Sequence, residues 1–112
     1  MYTPVIDNNF IWATGLFEGE GYFDTHGTTR RLNLTSTDED VVIRFMEAVG
    51  CGNITERSTQ KEHHKRQFMW RAGRRELTLP LIHAMYPYLG ERRKEQADAF
   101  IACFTDYPWQ RQ

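Results

Sequence analysis

The residues best suited to chemistry in this sequence are two glutamates near its start. Glu18 and Glu20 stand among three glycines in the stretch "WATGLFEGEG" at residues 12–21. If this stretch is helical, both carboxylates lie at the carbonyl end of the helix, which bears a partial negative charge. Each acid there raises the free energy of the helix by roughly a few tenths of a kcal/mol. The sequence therefore places negative charge where the local electrostatics disfavour it.

Two interpretations of these acids follow from the residues alone. In the first, they form a solvated acidic turn, because water and salt screen the repulsion between exposed charges. In the second, a divalent cation compensates the charge, because hard ions such as Mg²⁺ bind carboxylate and carbonyl oxygens. The local sequence does not choose between them.

The same stretch has a second feature, a strip of small residues. Gly15 and Gly19 are four positions apart and share one helix face with Ile11, one turn earlier. Such a face lets another helix backbone approach closely. The strip, which we call the glycine strip (Ile11, Gly15, Gly19), predicts helix packing within the chain or beyond it, and fraying of the helix end is the alternative.

The elements that position these residues can be predicted from periodicity. Apolar residues at helical spacing predict a helix over 8–19, with Asp7 as its cap and Gly19 and Gly21 at its end. The following "GYFDTHGTTRRLNLTST" alternates in polarity and predicts a β-hairpin with its turn at residues 26–28. The acids therefore lie at a predicted helix-to-strand junction.

The rest of the chain repeats this pattern. "TDEDVVIRFMEAVG" predicts a helix capped by Thr37 or Asp38 and stopped at Gly50. "GNITERSTQKEHHKRQFMWRA" predicts a second hairpin with a polar loop, and apolar spacing after Arg75 and after Gly90 predicts two more helices. The order helix, hairpin, helix, hairpin, helix, with one helix added, predicts an α+β domain.

Composition limits the class of protein. With 112 residues and 40% apolar content, the chain predicts one globular domain over 1–112. No apolar run approaches the roughly 20 residues that span a bilayer, and the start lacks the features of a signal peptide. Cys51 and Cys103 form no paired motif and suit reduced thiols. We therefore expect a soluble, cytoplasmic protein without membrane contact.

The near-neutral net charge of −1 conceals an uneven distribution. Residues 1–50 contain 3 Lys and Arg against 8 Asp and Glu, a balance of −5. Residues 51–112 contain 11 against 7, a balance of +4. A basic half of this kind is compatible with a nucleic-acid partner.

The nine residues "ATGLFEGEG", 13–21, resemble the signature motif of the LAGLIDADG homing endonucleases. Gly15, Leu16 and Gly21 match it, both acids are Glu where the family name has Asp, and the first two positions depart from it. The predicted element order is similar to that family's fold, and "AVGCGNI" and "YPYLGERRKEQAD" resemble segments of it. The resemblance implies an αββαββα fold whose antiparallel sheet forms a DNA-binding saddle.

The resemblance also implies roles for particular residues. Glu20 would be the catalytic acid that binds Mg²⁺, with the carbonyl of Gly19 beside it, while Glu18 would support the helix. Arg93 would be the basic residue near the scissile phosphate, with Arg92 and Lys94 as alternatives on the same segment. Asn33 would orient the attacking water.

A chain with one motif resembles the homodimeric branch of the family, in which the glycine strip would be the dimer interface. The implied function is a homing endonuclease, serving intron or intein mobility, that cuts both strands of a long pseudo-palindromic DNA site. A maturase or DNA-binding regulator without catalysis, and a folded but inactive relative, are the alternatives.

Strand alternation predicts which residues would face DNA. The expected outward-facing residues are Tyr22, Asp24, His26, Arg31, Asn33, Thr35, Thr55, Arg57, Thr59, Gln67 and Arg71. Among them, Asn33, Arg57, Gln67 and Arg71 are predicted to read base edges in the major groove. A second set is predicted to contact phosphates: Lys61, Lys65, Arg66, Arg74 and Arg75.

Overall fold

The computed structural model describes residues 1–57 and 66–105, and the elements in these ranges follow the predicted order. A short 3₁₀ turn, Tyr86–Tyr88, separates the last two helices. The helices and strands are α1 (Asn8–Glu20), β1 (Gly21–Asp24), β2 (Arg31–Ser36), α2 (Glu39–Val49), β3 (Asn53–Arg57), β4 (Gln67–Ala72), α3 (Arg75–Met85) and α4 (Glu91–Thr105). The predicted α+β fold is confirmed.

The four strands form one antiparallel sheet in the order β1-β2-β4-β3, so both predicted hairpins are present. β1 ends at Asp24, and His26 lies in the turn predicted over residues 26–28. Its inclusion among the outward-facing strand residues is therefore wrong. The connection between β3 and β4 falls outside the described residues, together with the predicted contacts Thr59, Lys61 and Lys65.

The helices pack on one face of this sheet, and the alternation of the strands decides what they cover. On β2 and β4 the inward side chains Leu32, Leu34, Trp70 and Ala72 are almost completely buried. They meet apolar side chains from all four helices, chiefly Phe10, Ala13, Phe17, Val42, Phe45, Val49, Leu81, Ile82, Met85, Ala97, Phe100 and Phe104. None of the helices in residues 1–57 and 66–105 packs on the opposite face, which we call the outward face.

Both ends of α1 are fixed by specific contacts. The side chain of Asp7 accepts a hydrogen bond from the backbone N–H of Phe10 at 2.9 Å, which confirms the predicted cap. At the other end Gly21 donates its N–H to the carbonyl of Phe17. A Cβ at Gly21 would lie 2.4 Å from Cδ1 of Phe17, so only glycine fits where the chain leaves the helix for β1.

Across residues 1–57 and 66–105, the helices are too short or too polar to cross a lipid bilayer.

Candidate nuclease site at the end of α1

Glu20 is the last residue of α1, and its neighbour Gly19 is exposed with it. The next residue begins β1, at the edge of the sheet. Within the described part of the chain, no hydrogen bond or ion pair reaches the Glu20 carboxylate. The sequence thus presents an unpartnered, solvent-exposed acid at the junction that the motif predicted.

Glu18 has a different environment although it is only two residues away. Its Oε1 accepts a hydrogen bond from the backbone N–H of Gly90 at 2.6 Å, immediately before α4. Its Oε2 lies 4.0 Å from Nε of Arg93. The carboxylate therefore sits at the positive end of a second helix, which offsets the unfavourable position it has on α1. The supporting role that the resemblance implied for Glu18 remains a prediction.

Arg93 lies beside this junction and is buried, with 8% of its surface exposed. Its Nε donates to the backbone carbonyl of Glu18 and its Nη2 to that of Gly21, each at 2.9 Å. Its Nη1 donates to Oε1 of Gln96 at 2.8 Å. All three guanidinium nitrogens are thus bonded inside the protein. A place for Arg93 at the scissile phosphate remains a prediction.

The other two basic residues of this segment differ from it. Arg92 is exposed. Lys94 is half-buried, and its ammonium lies 5.5 Å from the centroid of the Tyr86 ring, a distance typical of a cation–π contact. Arg92 is therefore the most exposed of the three basic residues.

The donor atoms at the end of α1 match the chemistry of a hard divalent cation but do not complete a site. Glu20 supplies a carboxylate, and the adjacent carbonyl of Gly19 is a second oxygen donor of the same type. No group of three or more His, Cys, Asp or Glu side chains converges anywhere in the described ranges. A Mg²⁺ ion with octahedral coordination would need further oxygens from elsewhere.

On the outward face, one row of the sheet joins Tyr22, Asn33, Arg71 and Asn53 across all four strands. Tyr22 at the edge is 58% exposed. In the middle of the row, Oδ1 of Asn33 and Nε of Arg71 are buried and have no hydrogen-bond partner in the described residues. Unpaired buried polar atoms are rare in folded proteins and call for an explanation. A ligand on this face would supply partners for both.

Three of the residues predicted to contact DNA, Asp24, Arg31 and Arg66, form ion pairs within the protein. Nη2 of Arg31 lies 3.1 Å from Oδ2 of Asp24. The backbone N–H of His26, with Arg31 beside it, holds the pKa of the Asp24 carboxyl below its ordinary value. Arg66 and Glu56 form an exposed pair at 3.0 Å. These pairs would have to be shared or exchanged if the charged groups met DNA.

The remaining predicted contacts vary in exposure. Arg57 is exposed on edge strand β3, Gln67 lies opposite it on β4, and Thr35 on β2 is half-buried. Arg74 and Arg75 are exposed at the start of α3, where Arg74 lies 3.7 Å from Glu76.

The sequence did not lead us to predict one residue of the outward face, Met69. Met69 lies between Thr35 and Thr55 in the register and is 7% exposed, and its Sδ accepts a hydrogen bond from Nη2 of Arg71 at 3.2 Å. Met69 is apolar, whereas the predicted outward-facing set contained only residues with polar groups. Its position between Gln67 and Arg71 was the signal, because alternate strand residues share a face.

The glycine strip is open on the surface of α1. Ile11 is 40% exposed, and Gly15 and Gly19 are both exposed. A Cβ built on either glycine meets no atom within 4 Å. The strip is therefore not used for helix packing by the part of the chain that the structure describes, so intramolecular packing does not explain it there.

Comparison with solved structures identifies the fold. The homing endonuclease I-CvuI, bound to the I-CreI target with 2 mM Mg and uncleaved DNA, matches 80% of this chain with TM-score 0.62 and 17% identity. I-CvuI bound to its own target with 2 mM Ca also matches 80% of this chain, with TM-score 0.60 and 15% sequence identity. The group I intron-encoded homing endonuclease I-CeuI, complexed with DNA, matches 91% of this chain with TM-score 0.62 and 16% sequence identity.

The chain spans 60% of the length of each I-CvuI chain and 56% of the I-CeuI chain. No protein-family model and no curated protein matches it. At these identities the likeness defines the architecture, and the chain has the fold of the LAGLIDADG homing endonucleases. The resemblance predicted from the sequence is confirmed at this level.

Proposed function

Starting from this fold, we propose that the chain is one subunit of a homodimeric, Mg²⁺-dependent DNA endonuclease that cuts both strands of a long pseudo-palindromic site. The observation that supports it most is the exposed, unpartnered carboxylate of Glu20 at the end of α1, next to the sheet edge. The structural neighbours are homing endonucleases bound to DNA, and two of these structures contain Mg or Ca.

The proposal of a homodimer follows from the incomplete donor set. One chain offers a single exposed carboxylate at this junction, whereas cutting two strands requires a site for each scissile phosphate. Packing two copies through the glycine strip about a two-fold axis would bring the ends of both α1 helices together. Each copy would then contribute Glu20, and DNA phosphates would supply further oxygens.

The residues around the junction have distinct tasks in this proposal. Glu20, with the carbonyl of Gly19, would hold the Mg²⁺ ion. When bound, the ion would lower the pKa of a water ligand and stabilise the leaving oxygen of an in-line phosphodiester displacement. Asn33 would accept a hydrogen bond from water through its unpaired Oδ1, which orients that water without transferring a proton.

The outward face is proposed to contact DNA. A guanidinium such as that of Arg71 can pair with the O6 and N7 edge of guanine, and an amide such as that of Asn33 with adenine. Exposed arginines at the margins, including Arg66, Arg74 and Arg75, would meet phosphates. Such contacts release counterions and make binding depend on salt without selecting a sequence.

The deciding experiment separates binding from cleavage. A DNA site is first selected from a randomised duplex library in Ca²⁺, and cleavage of the recovered duplex is then measured in Mg²⁺. Three proteins are compared: the wild type, Glu20→Gln, and Glu47→Gln as a charge-matched control on the exposed side of α2. We expect the wild type and the control to cut, and Glu20→Gln to bind without cutting.

Other outcomes would replace the proposal. Sequence-specific binding by all three proteins with no cleavage by any would indicate a regulator or maturase that uses the same surface. Cleavage by Glu20→Gln at the wild-type rate would remove Glu20 from the reaction. Absence of sequence-specific binding would indicate a folded but inactive relative.

A further inference from the structure

One guanidinium holds the backbone on both sides of Glu20. Arg93 donates from Nε to the carbonyl of Glu18 and from Nη2 to the carbonyl of Gly21, each at 2.9 Å. Gly19 and Glu20 are the two residues enclosed between these carbonyls. The segment proposed to hold the metal is therefore fixed at each end by the same side chain.

The guanidinium is itself fixed in place. Gln96, one turn further along α4, accepts a hydrogen bond from Nη1 at 2.8 Å, and burial of Arg93 keeps water from competing for these bonds. The carboxylate of Glu18 also binds the N–H of Gly90 just before α4. Three hydrogen bonds thus connect the start of α4 with the end of α1 and the first residue of β1: one from the N–H of Gly90, and two from the planar guanidinium of Arg93.

This arrangement has a consequence for Glu20. The terminal residues of helices fray, and glycine leaves the backbone less restrained than other residues do, so a carboxylate after Gly19 would sample many directions if nothing held it. Binding a cation would then require that freedom to be lost. Residues that orient a metal ligand in advance reduce this loss of freedom on binding. Substituting such residues typically lowers metal affinity or activity by about 10–100-fold.

We propose that Arg93 is a positioning residue, which fixes the direction of the Glu20 carboxylate through the backbone and does not contact the scissile phosphate. The inference rests on the proposed function in one respect, that Glu20 binds the metal. It differs from the role implied by the resemblance, because Arg93 is buried and three of the five N–H donors of its guanidinium, one on each nitrogen, are already bonded to the protein.

The test measures metal affinity directly. Mn²⁺ is titrated into the complex of the protein with its selected duplex, and free Mn²⁺ is followed by electron paramagnetic resonance. Arg93→Lys and Arg93→Gln are both expected to weaken Mn²⁺ binding by about 10–100-fold, since neither side chain has the two coplanar nitrogens, Nε and Nη2, with which Arg93 bonds the two carbonyls. The cleavage rate of Arg93→Lys should recover towards that of the wild type at saturating Mn²⁺.

A direct phosphate contact predicts the opposite pattern. In that case Arg93→Lys would retain the wild-type Mn²⁺ affinity, and Arg93→Gln would cut slowly even at saturating metal; this result would overturn the proposal. Arg44→Gln removes the same charge from an exposed position on α2 and should leave Mn²⁺ affinity as it is in the wild type. If Arg44→Gln weakened Mn²⁺ binding as much as Arg93→Gln does, the effect would be one of charge alone and the proposal would also be overturned.

Two further variants keep the result decisive. If the Arg93 variants do not fold, as judged by circular dichroism, Gln96→Leu removes only the anchor of the guanidinium; weaker Mn²⁺ binding supports the proposal and unchanged binding refutes it.

Glu20→Gln separates the proposed function from the positioning role of Arg93. If it binds Mn²⁺ as the wild type does, the proposed function fails; if it loses Mn²⁺ while Arg93→Lys does not, only the positioning role fails.

Discussion

At the scale of single residues, chemical identity does not determine function in this chain, because Glu18 and Glu20 differ mainly in what surrounds them. Glu18 binds a backbone N–H at the start of α4 and faces a buried arginine. Glu20 is exposed and unpartnered within the described residues. The first carboxylate is used by the fold, and the second is available to a ligand.

Gly21 gives a prediction at this scale. In Gly21→Ala the new Cβ would lie 2.4–2.6 Å from three atoms of the Phe17 ring, which is buried in the core. Overpacking of this kind lowers the free energy of unfolding by about 1–3 kcal/mol. The measurement is urea unfolding of the wild type and of Gly21→Ala.

A second background makes this test specific. Phe17→Leu shortens the side chain that the new Cβ meets, so Gly21→Ala should cost less there than in the wild type. A double-mutant cycle measures that coupling. Equal costs in the two backgrounds would mean that the ring is not what requires glycine at this position.

At the scale of elements, α1 serves two surfaces at once. One side packs Phe10, Ala13 and Phe17 into the core, and another presents the glycine strip to solvent. The helix begins at an Asp cap and ends at a glycine held against an aromatic ring. Its length and end are therefore set by local contacts, whereas its exposed side has no packing partner within the described residues.

Substitution of Gly15 tests whether the exposed side of α1 is a dimer interface. An added methyl group should stabilise the single chain and weaken the dimer. Within one chain, Gly15→Ala meets no atom within 4 Å and should stabilise the helix by about 0.8–1.0 kcal/mol. In a dimer that packs through the glycine strip, the same methyl group should separate the helices. We expect a higher urea midpoint at dilution that favours monomers, and weaker dimerisation by sedimentation velocity.

Gly15→Leu enlarges the same effect and should abolish the dimer. Glu47→Ala, on the exposed side of α2, changes helix propensity away from the strip and should leave dimerisation unaffected. If both Gly15 variants dimerise as the wild type does, the interface lies elsewhere.

At the scale of the whole molecule, the helices described in the structure cover one face of the sheet and not the outward face. The outward face contains Asn33 and Arg71, neighbours in the register, each with a buried polar atom that lacks a partner in residues 1–57 and 66–105. The net charge of −1 gives no indication of this surface. The proposed role of this surface in binding therefore rests on the arrangement of its residues and not on the total charge.

Two arginines distinguish base reading from phosphate contact on this surface. Arg71 is half-buried in the centre of the sheet, whereas the Arg74 side chain is 81% exposed beyond it. Arg71→Gln should weaken binding to the selected duplex by about 1–3 kcal/mol and change binding to random duplex little. Arg74→Gln should weaken both alike and reduce the salt slope by about 1.

The measurement is fluorescence anisotropy with both duplexes over a range of salt concentrations. Equal losses for the two variants on both duplexes would mean that Arg71 does not read a base, and that the outward face binds DNA through charge alone.

Local patterns in the sequence determined the order of the elements, the cap at Asp7, the end of α1 to within one residue (residue 19 predicted, Glu20 observed) and the alternation that separates the two faces of the sheet. Each depends on residues a few positions apart, whose backbone preferences and spacing can be read directly. Only the tertiary structure decided that Arg93 is bonded to the end of α1, that Glu18 meets Gly90, and that Asn33 and Arg71 are adjacent. The first two contacts join residues 72–75 positions apart in the chain. No local preference specifies such a pair, because it forms only when the core has brought α4 against α1.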